Sequence, residues 1–274
     1  MGWRRADWLP WAMGLLMLAV GAPGKAEGVT QDIPGHGQID WTAKTITARG
    51  SGAPSKKAKS PAAARLGAER AAKLDAYRNI LETLKGVQVD AKRSADKVLS
   101  GGEIQAKVDG VIKGAKVIDT VYYSDLSVDV VLRMPIDGLL TQALLPETAT
   151  EKKKDVPTKG TAKSSGLVIN AKGLNVIPAI APRVLDENGK EIYSVAYVAD
   201  KAAFEGGIIG YVKDLEEAKN HPRVKEKPMV VRAIATGKDG KSDIVISNAD
   251  ADKLRDPETN QAYLADGRVI VVVD

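Results

Sequence analysis

The 274-residue sequence contains no cysteine. Disulfide bonds, zinc sites built from thiolates and thiol nucleophiles are therefore excluded. A lipid anchor on an N-terminal cysteine is excluded for the same reason. Aromatic residues make up only 4% of the chain, with a single Phe. A surface that binds bases by stacking them on aromatic rings is therefore not expected.

Only two histidines, His36 and His221, are available as general bases. They lie in different segments next to turn-forming residues, so each is predicted to be exposed. No serine stands in a G-x-S-x-G frame, and neighbouring carboxylates such as Asp186-Glu187 and Glu216-Glu217 do not by themselves make a glycosidase. The sequence therefore predicts no catalytic, cofactor-binding or metal-binding residue, no cofactor and no enzyme activity. A hydrolase remains a distant alternative.

The first 26 residues have the composition of a secretory signal peptide. Arg4 and Arg5 precede an apolar run at 9–22, and small residues follow up to Ala26. The run is shorter than the ~20 residues that span a bilayer, so cleavage after Ala26 is favoured over an uncleaved anchor. General export is favoured over the twin-arginine route. The predicted location is the periplasm, with association to the outer membrane as a further expectation.

The net charge is modest. Its formal value of +5 falls to about +3 without residues 1–26, because these hold three basic residues and one acidic residue. The remaining charge is spread along the chain, which is only a weak indication of a polyanionic partner. No nucleic-acid partner is predicted, and at most a peripheral contact with a membrane.

The remaining chain divides into two globular segments, residues 27–145 and 166–274. They are joined by a polar stretch at 146–165 that contains two prolines and shows no apolar periodicity. This stretch is predicted to be a flexible linker. Its basic run at 152–154 is interpreted as solvated rather than bound to an anionic membrane.

The first segment is predicted to be an α+β domain with the order β-α-β-(α)-β-β-α and a mostly antiparallel sheet. Beside one long helix, the expected elements are a strand within 38–48, a strand at 87–90, a short helix near 94–99, a hairpin with its turn at 124–127 and a terminal helix within 137–146.

The long helix is predicted from Ser60, the expected N-cap before Pro61, to Lys85 and Gly86, which suit a left-handed C-cap. Apolar residues recur along it at spacings of three and four, which predicts one buried stripe against a sheet. The members of that stripe are Ala64, Ala68, Ala71, Leu74, Tyr77, Leu81 and Leu84.

The second segment is predicted to be rich in β-structure. A strand is expected in 166–171, and Asn188-Gly189 predicts a type I′ turn in a hairpin. A short helix at 214–221 and a second hairpin at 228–248 follow. The run at 267–274 is apolar on both faces, which predicts a central strand.

Two stretches resemble ligand-binding motifs. Ala235–Ser242 matches a relaxed phosphate-loop pattern, but a strand rather than a helix follows it, so a hairpin turn at Asp239-Gly240 is predicted. Asn248, Asp250 and Asp252 match the start of a calcium loop, but Lys253 replaces the required glycine. Helix capping or a turn is predicted there instead.

The first segment carries a longer signature. It contains A-x-G-x-G-x-P at 48–54, then A-R-x-x-A-E-R-A-A-x-x-D-A-Y-R-N-x-L-E-x-x-K-G-V-x-V at 64–89, and I-x-x-x-V-x-G-x-I-K-G-A-x-V at 104–117. These residues, within about 38–135, resemble the FlgP-type lipoproteins and the N-terminal domain of FlgT-type flagellar proteins. The resemblance implies a role in rings or disks at the outer membrane around the flagellar basal body. The chain departs from the lipoproteins in lacking the anchor cysteine.

The expected function is that of an exported, non-enzymatic structural or assembly protein of the cell envelope, with a flagellar outer ring or basal-body accessory as its setting. The expected partners are envelope or basal-body proteins and further copies of the chain. The alternative is a periplasmic module that binds a ligand or the cell wall, or that assists secretion.

Overall fold

The computed structural model describes residues 27–100, 102–136, 138–145 and 153–274. The predicted signal peptide and residues 146–152 of the predicted linker lie outside these ranges. None of the helices in the described ranges combines the length and hydropathy that a membrane-spanning helix needs.

The first segment contains one antiparallel sheet of five strands, in the order β1-β2-β3-β5-β4. The strands are β1 (Thr30–Ile33), β2 (Gly37–Asp40), β3 (Thr45–Gly52), β4 (Lys116–Tyr122) and β5 (Val128–Pro135). The helices described in this segment lie between or after the strands: α1 (Pro61–Lys85), α2 (Ala95–Leu99), α3 (Gly102–Ile112) and α4 (Leu139–Leu144). The predicted α+β class and mostly antiparallel sheet are confirmed.

Two local predictions in this segment are wrong, and one helix is not predicted at all. The single strand expected within 38–48 is a hairpin of β2 and β3, which reverses direction at Lys44 with φ 52°. The strand expected at 87–90 is reduced to an isolated bridge between Gln88 and Ser94, across a turn in which the Asp90 carboxylate accepts hydrogen bonds from the N–H groups of Lys92 and Arg93. Helix α3 has no counterpart among the elements expected from the sequence.

Helix α1 has the predicted bounds. The Ser60 hydroxyl oxygen accepts a hydrogen bond from the Ala63 N–H at 3.2 Å, and Pro61 occupies the first turn. The helix ends at Lys85, but Gly86 has φ −74° and remains right-handed, so the predicted left-handed cap is wrong.

The buried face of α1 also differs from the predicted stripe. Ala71 is exposed and Leu74 is 67% exposed, while Tyr77 and Leu81 are only half-buried. The buried row follows a spacing of about four and consists mostly of alanine: Ala64, Ala68, Ala72, Ala76, Ile80, Thr83 and Leu84.

Small residues face this row on the sheet. A Cβ built on Gly50 would lie 2.0 Å from the Ala76 nitrogen, and one built on Gly52 would lie 1.9 Å from the Ala68 oxygen. The helix backbone therefore rests almost directly on the backbone of β3. Only glycine on the strand and alanine on the helix permit so close an approach, which explains why the bulkier leucines lie elsewhere.

The second segment contains a mixed sheet of seven strands, in the order β8-β7-β11-β10-β6-β12-β9. The strands are β6 (Gly166–Asn170), β7 (Val184–Leu185), β8 (Glu191–Tyr193), β9 (Gly210–Val212), β10 (Pro228–Gly237), β11 (Gly240–Ile246) and β12 (Val269–Val272). Strands β10, β6, β12 and β9 are parallel neighbours. As predicted, β12 is central and buried on both faces.

Short helices connect these strands: α5 (Asp200–Gly206), α6 (Leu215–Asn220), α7 (Asn248–Arg255) and α8 (Ala262–Ala265), with a 3₁₀ turn at Val195–Tyr197. The predicted β7–β8 and β10–β11 hairpins are confirmed. The turn between β7 and β8 is not type I′, because Gly189 has φ 78° but Asn188 does not adopt a positive φ.

The two segments pack against each other. Backbone N–H groups of Ile180 and Ala181 donate to the carbonyls of Gln88 and Val89 at 3.0 and 2.8 Å. One cluster of buried apolar side chains includes residues of both segments. The core is therefore continuous across the boundary.

The described part of the predicted linker is bound along the surface of the second segment. The Lys154 N–H donates to the Ala196 carbonyl at 2.8 Å, and the Ser165 N–H donates to the Lys227 carbonyl at 2.9 Å. Lys153 and Lys154 form ion pairs with Asp200 and Glu191. Both residues nevertheless remain exposed, as the interpretation of a solvated run predicts.

Candidate functional site

The two histidines lie in separate local settings. His36 is exposed between β1 and β2, with Nδ1 3.4 Å from Oδ1 of Asn79. His221 is half-buried rather than exposed, and its Nδ1 accepts a hydrogen bond from the Arg223 N–H at 3.1 Å. Burial lowers the pKa of His221 below its usual range. These contacts fix the conformation of turns and do not join the histidines to each other.

The stretch that resembles a phosphate loop forms the turn between β10 and β11, as predicted. Asp239 in this turn forms ion pairs with Lys92 of the first segment and Arg183 of the second, at 3.2 and 2.8 Å. The turn therefore joins the segments, and its glycine at 240 lies against the backbone: a Cβ there would be 2.2 Å from the Ala91 oxygen.

The stretch that resembles a calcium loop begins helix α7, which confirms the prediction of capping. The Ser247 hydroxyl oxygen accepts from the Asp250 N–H at 3.1 Å, and the Asp250 carboxylate pairs with Lys253 at 2.8 Å. Within the described residues, no three His, Cys, Asp or Glu side chains are grouped so that they could hold a metal ion.

The carboxylates that are adjacent in the sequence also stabilise turns and helices. Asp186 accepts hydrogen bonds from the turn N–H groups of Asn188 and Lys190, and from the Arg255 guanidinium at 2.5 Å. The hydrogen bond from Arg255 holds the pKa of Asp186 below its usual range. Glu216 pairs with Lys219 at 2.7 Å on helix α6.

A cavity lies where the two segments meet. It has a volume of about 20 Å³ and is bordered by residues of both segments, including Trp41, Thr141, Ile180 and Tyr211. Trp41 and Tyr211 meet edge to face with ring centroids 5.9 Å apart. Because ligand sites for small molecules usually measure ~300–1,000 Å³, this cavity has room for about one water molecule.

The most unusual exposed surface is strand β4, at the edge of the first sheet. Every residue of the strand except Thr120 is exposed. Five apolar or aromatic side chains project from the strand and the residue after it, with exposed fractions between 36% and 52%: Val117, Ile118, Val121, Tyr122 and Tyr123. We define this set, together with Lys116, Asp119 and Thr120, as the β4 edge.

The β4 edge is held firmly on both faces of the sheet. On the helix side, the Tyr122 hydroxyl donates to Glu69 at 3.1 Å, and the Arg65 guanidinium lies 5.8 Å from the centre of the Tyr122 ring. On the open side, the Tyr123 hydroxyl donates to Oδ2 of Asp129 at 2.7 Å. These contacts order the aromatic side chains without burying them.

Asp129 anchors the open side. It is 8% exposed and also pairs with Arg49 of β3. Hydrogen bonds from Ser51 and Tyr123 lower the pKa of Asp129, and the same carboxylate raises the pKa of Tyr123. The cluster therefore ties β3, β5 and the end of β4 together with a carboxylate that stays ionised.

The backbone of β4 directs polar groups toward solvent. The Tyr123 N–H donates inward to the Ser127 carbonyl at 3.0 Å, whereas the Thr120 N–H donates to its neighbour, Oδ1 of Asp119, at 2.8 Å. In an antiparallel ladder, alternate residues direct their N–H and C=O groups to opposite sides. Thr120 and Tyr122 therefore direct theirs away from β5.

The sequence pattern predicts β4 as a strand but does not identify its edge as a surface. Its only local signal is that both alternating rows of the strand carry apolar residues, which is equally typical of a central strand. The comparison of β12 with β4 illustrates the ambiguity, since the former is buried on both faces and the latter is exposed on both.

Comparisons with known proteins bear on the second segment. A search of the curated proteins gives no match. A family model described as the second domain of Treponema pallidum Tp0624 matches residues 166–274, which are the second segment and its mixed sheet. The second segment is thus similar to the second domain of Tp0624.

Proposed function

We propose that this chain is an exported, non-enzymatic structural or assembly protein of the cell envelope, and that a flagellar outer ring or basal-body accessory is its setting. The observation that carries the proposal is the β4 edge. Exposed edge strands with apolar side chains are templates for pairing with another chain, and proteins that do not use them usually shield them.

Two further features support this proposal. The two tyrosines of the β4 edge are fixed by Glu69, Arg65 and Asp129, so ordering these side chains adds little to the cost of binding a partner. The described carboxylates that resemble catalytic or metal-binding sets are engaged in turns, caps and ion pairs. The cavity between the segments is too small to favour the alternative of a module that binds a ligand there.

The flagellar setting rests on the resemblance of residues 38–135 and on the signal-like residues 1–26. The test is a deletion strain of the source bacterium, complemented by a chain with an epitope tag at a surface turn. We expect the tagged protein in the periplasmic or outer-membrane fraction, reduced swimming of the deletion strain, and basal bodies that lack outer density in electron cryotomography.

Complete basal bodies and normal swimming in the deletion strain would remove the flagellar setting. A tagged protein found only in the cytoplasm would remove the envelope function as well.

A further inference from the structure

The two sheets have four edges within the described residues, and they differ in length and cover. Strands β8 and β9 each have three residues and are largely buried, and β1 has four. Strand β4 has seven residues and is exposed on both faces. It is therefore the described edge that offers the longest row of backbone groups to another strand.

Two outward-facing residues, Thr120 and Tyr122, determine the register in which another strand can pair. Such residues exchange hydrogen bonds with outward-facing residues of the added strand. If the added strand is a second β4 running antiparallel, a register centred on Val121 pairs Thr120 with the Tyr122 position, and Tyr122 with the Thr120 position. All outward groups of these two residues are then used.

The side chains fit the same register. Val121 lies on the open face and would meet its own counterpart on the two-fold axis. Thr120 and Tyr122 lie on the helix face, because their partners in β5, Val130 and Val128, point into the core beneath α1. A β-branched residue beside an aromatic ring is one of the favourable cross-strand combinations.

The charges fit a second copy better than a strongly charged partner. The edge carries one cation and one anion, Lys116 and Asp119, and the nearby helix adds Arg65 and Glu69. In the register centred on Val121, Asp119 lies opposite Tyr123 of the other copy and Lys116 lies beyond the end of the other strand, so no like charges face each other across the pair. Each copy contributes one seven-residue strand to the contact, and stable complexes usually have larger interfaces, so a single pair should form reversibly.

From these observations we propose that two copies of this chain associate through antiparallel pairing of their β4 edges, centred on Val121, which joins two five-stranded sheets into one sheet of ten. The inference rests on the proposed assembly function and names its partner as a second copy. In an array with further contacts, the weak pairing is strengthened because the second contact is intramolecular.

Asp119 weakens this pairing. Its carboxylate occupies the Thr120 N–H that the second strand needs. Association therefore requires that the carboxylate be displaced, and the pairing is weaker than that of a strand without this residue.

The test is sedimentation equilibrium of residues 27–274 over a range from micromolar to millimolar concentration. We expect a concentration-dependent dimer. Val121→Lys would place two ammonium groups at the axis and should weaken association by about tenfold or more. The matched control Val230→Lys changes a valine of similar exposure, 44% against 36%, on β10 and should leave association unchanged.

Two more variants separate pairing from misfolding. Thr120→Pro removes an outward N–H that is not part of the β4–β5 ladder, so it should abolish association while the thermal unfolding curve keeps its shape. Asp119→Ala should tighten association by roughly threefold or more, because it removes the competing carboxylate. Hydrogen exchange at Thr120 and Tyr122 should slow as the protein concentration rises.

A chain that stays monomeric at millimolar concentration, or a dimer that Val121→Lys and Val230→Lys affect equally, would overturn the β4 pairing. Either result leaves the proposed envelope function standing, since that function is judged by cell fractionation and basal-body structure.

Discussion

Substituting Gly50 with alanine tests the contact between α1 and β3. The added Cβ would lie 2.0 Å from the Ala76 nitrogen and 2.3 Å from the Ala72 oxygen, whereas ordinary contacts begin at 3.4 Å. Both neighbours are backbone atoms, so no side chain can rotate away. The helix would have to move from the sheet by more than about 1 Å, and its alanine row would lose contact with the strand.

The expected cost follows from this displacement. Overpacking a close-packed core typically destabilises by about 1–3 kcal/mol and sometimes more. Replacing glycine also stabilises slightly by restricting the unfolded chain, by about 0.5 kcal/mol or more. We therefore expect Gly50→Ala to lower the free energy of unfolding by about 2 kcal/mol, near the upper end of this difference, which for a chain of this size lowers the melting temperature by roughly 4–8 °C.

The matched control, Gly67, lies on α1, the helix that packs against Gly50. Gly67 is a helical glycine, and a Cβ added to it would have no atom within 4 Å outside its immediate helical surroundings. Gly67→Ala should raise stability by about 0.5–1 kcal/mol, because alanine is the better helix former. Urea denaturation monitored by circular dichroism measures both. If Gly50→Ala unfolded within about 0.5 kcal/mol of the parent chain, the backbone contact between α1 and β3 would be disproved.

Three further predictions concern charged groups. Asp243→Asn should lower the free energy of unfolding by about 2 kcal/mol in urea titrations, because a buried carboxylate that binds Arg183 is lost. The control Asp252→Asn changes an exposed carboxylate on α7 and should alter the free energy of unfolding by less than about 0.5 kcal/mol. The lowered pKa of Asp186 means that its stabilising contribution is present above the unfolded value of about 3.9 and is lost as pH falls below it; the melting temperature should therefore drop in this acidic range, and less steeply in Asp186→Asn. Lys44→Met removes the hydrogen bond from Nζ to the Gly206 carbonyl that links the segments and should cost about 1 kcal/mol; an unchanged urea midpoint would show that this link contributes nothing.

Helix α1 shows what can be predicted from the sequence and what cannot. Its bounds follow from local chemistry, the hydroxyl of Ser60 and the ring of Pro61 at one end and Gly86 at the other. The face that the helix buries does not follow from local chemistry. The apolar periodicity favours Leu74, whereas the structure buries Ala72 and Ala76, because the facing strand carries glycines and admits only small side chains.

Short elements are harder to predict for a different reason. The alternation at 87–90 is typical of a strand, yet Asp90 stabilises a turn through the N–H groups of Lys92 and Arg93. Hairpins with a clear turn signal, such as β10–β11, are predicted correctly. The type of a turn depends on backbone angles that one Asn-Gly pair does not determine.

Predicting the β4 edge requires knowledge of the order of the strands in the sheet. A strand with apolar residues on both faces can be central, like β12, or terminal, like β4, and only the pairing partners distinguish them. β4 pairs with the next strand, β5, but the other side of β5 is taken by β3, whose residues precede it by more than 70 positions. The candidate surface therefore becomes visible only in the assembled sheet.

The position of β12 has a consequence for how the protein is made. This strand lies between β6 and β9, both of which are synthesised earlier. Until residues 269–272 are in place, β9 has no strand to join it to β6, and the valine and isoleucine side chains of β6 lack their neighbours on that side. The sheet of the second segment should therefore be completed only when this late strand becomes available.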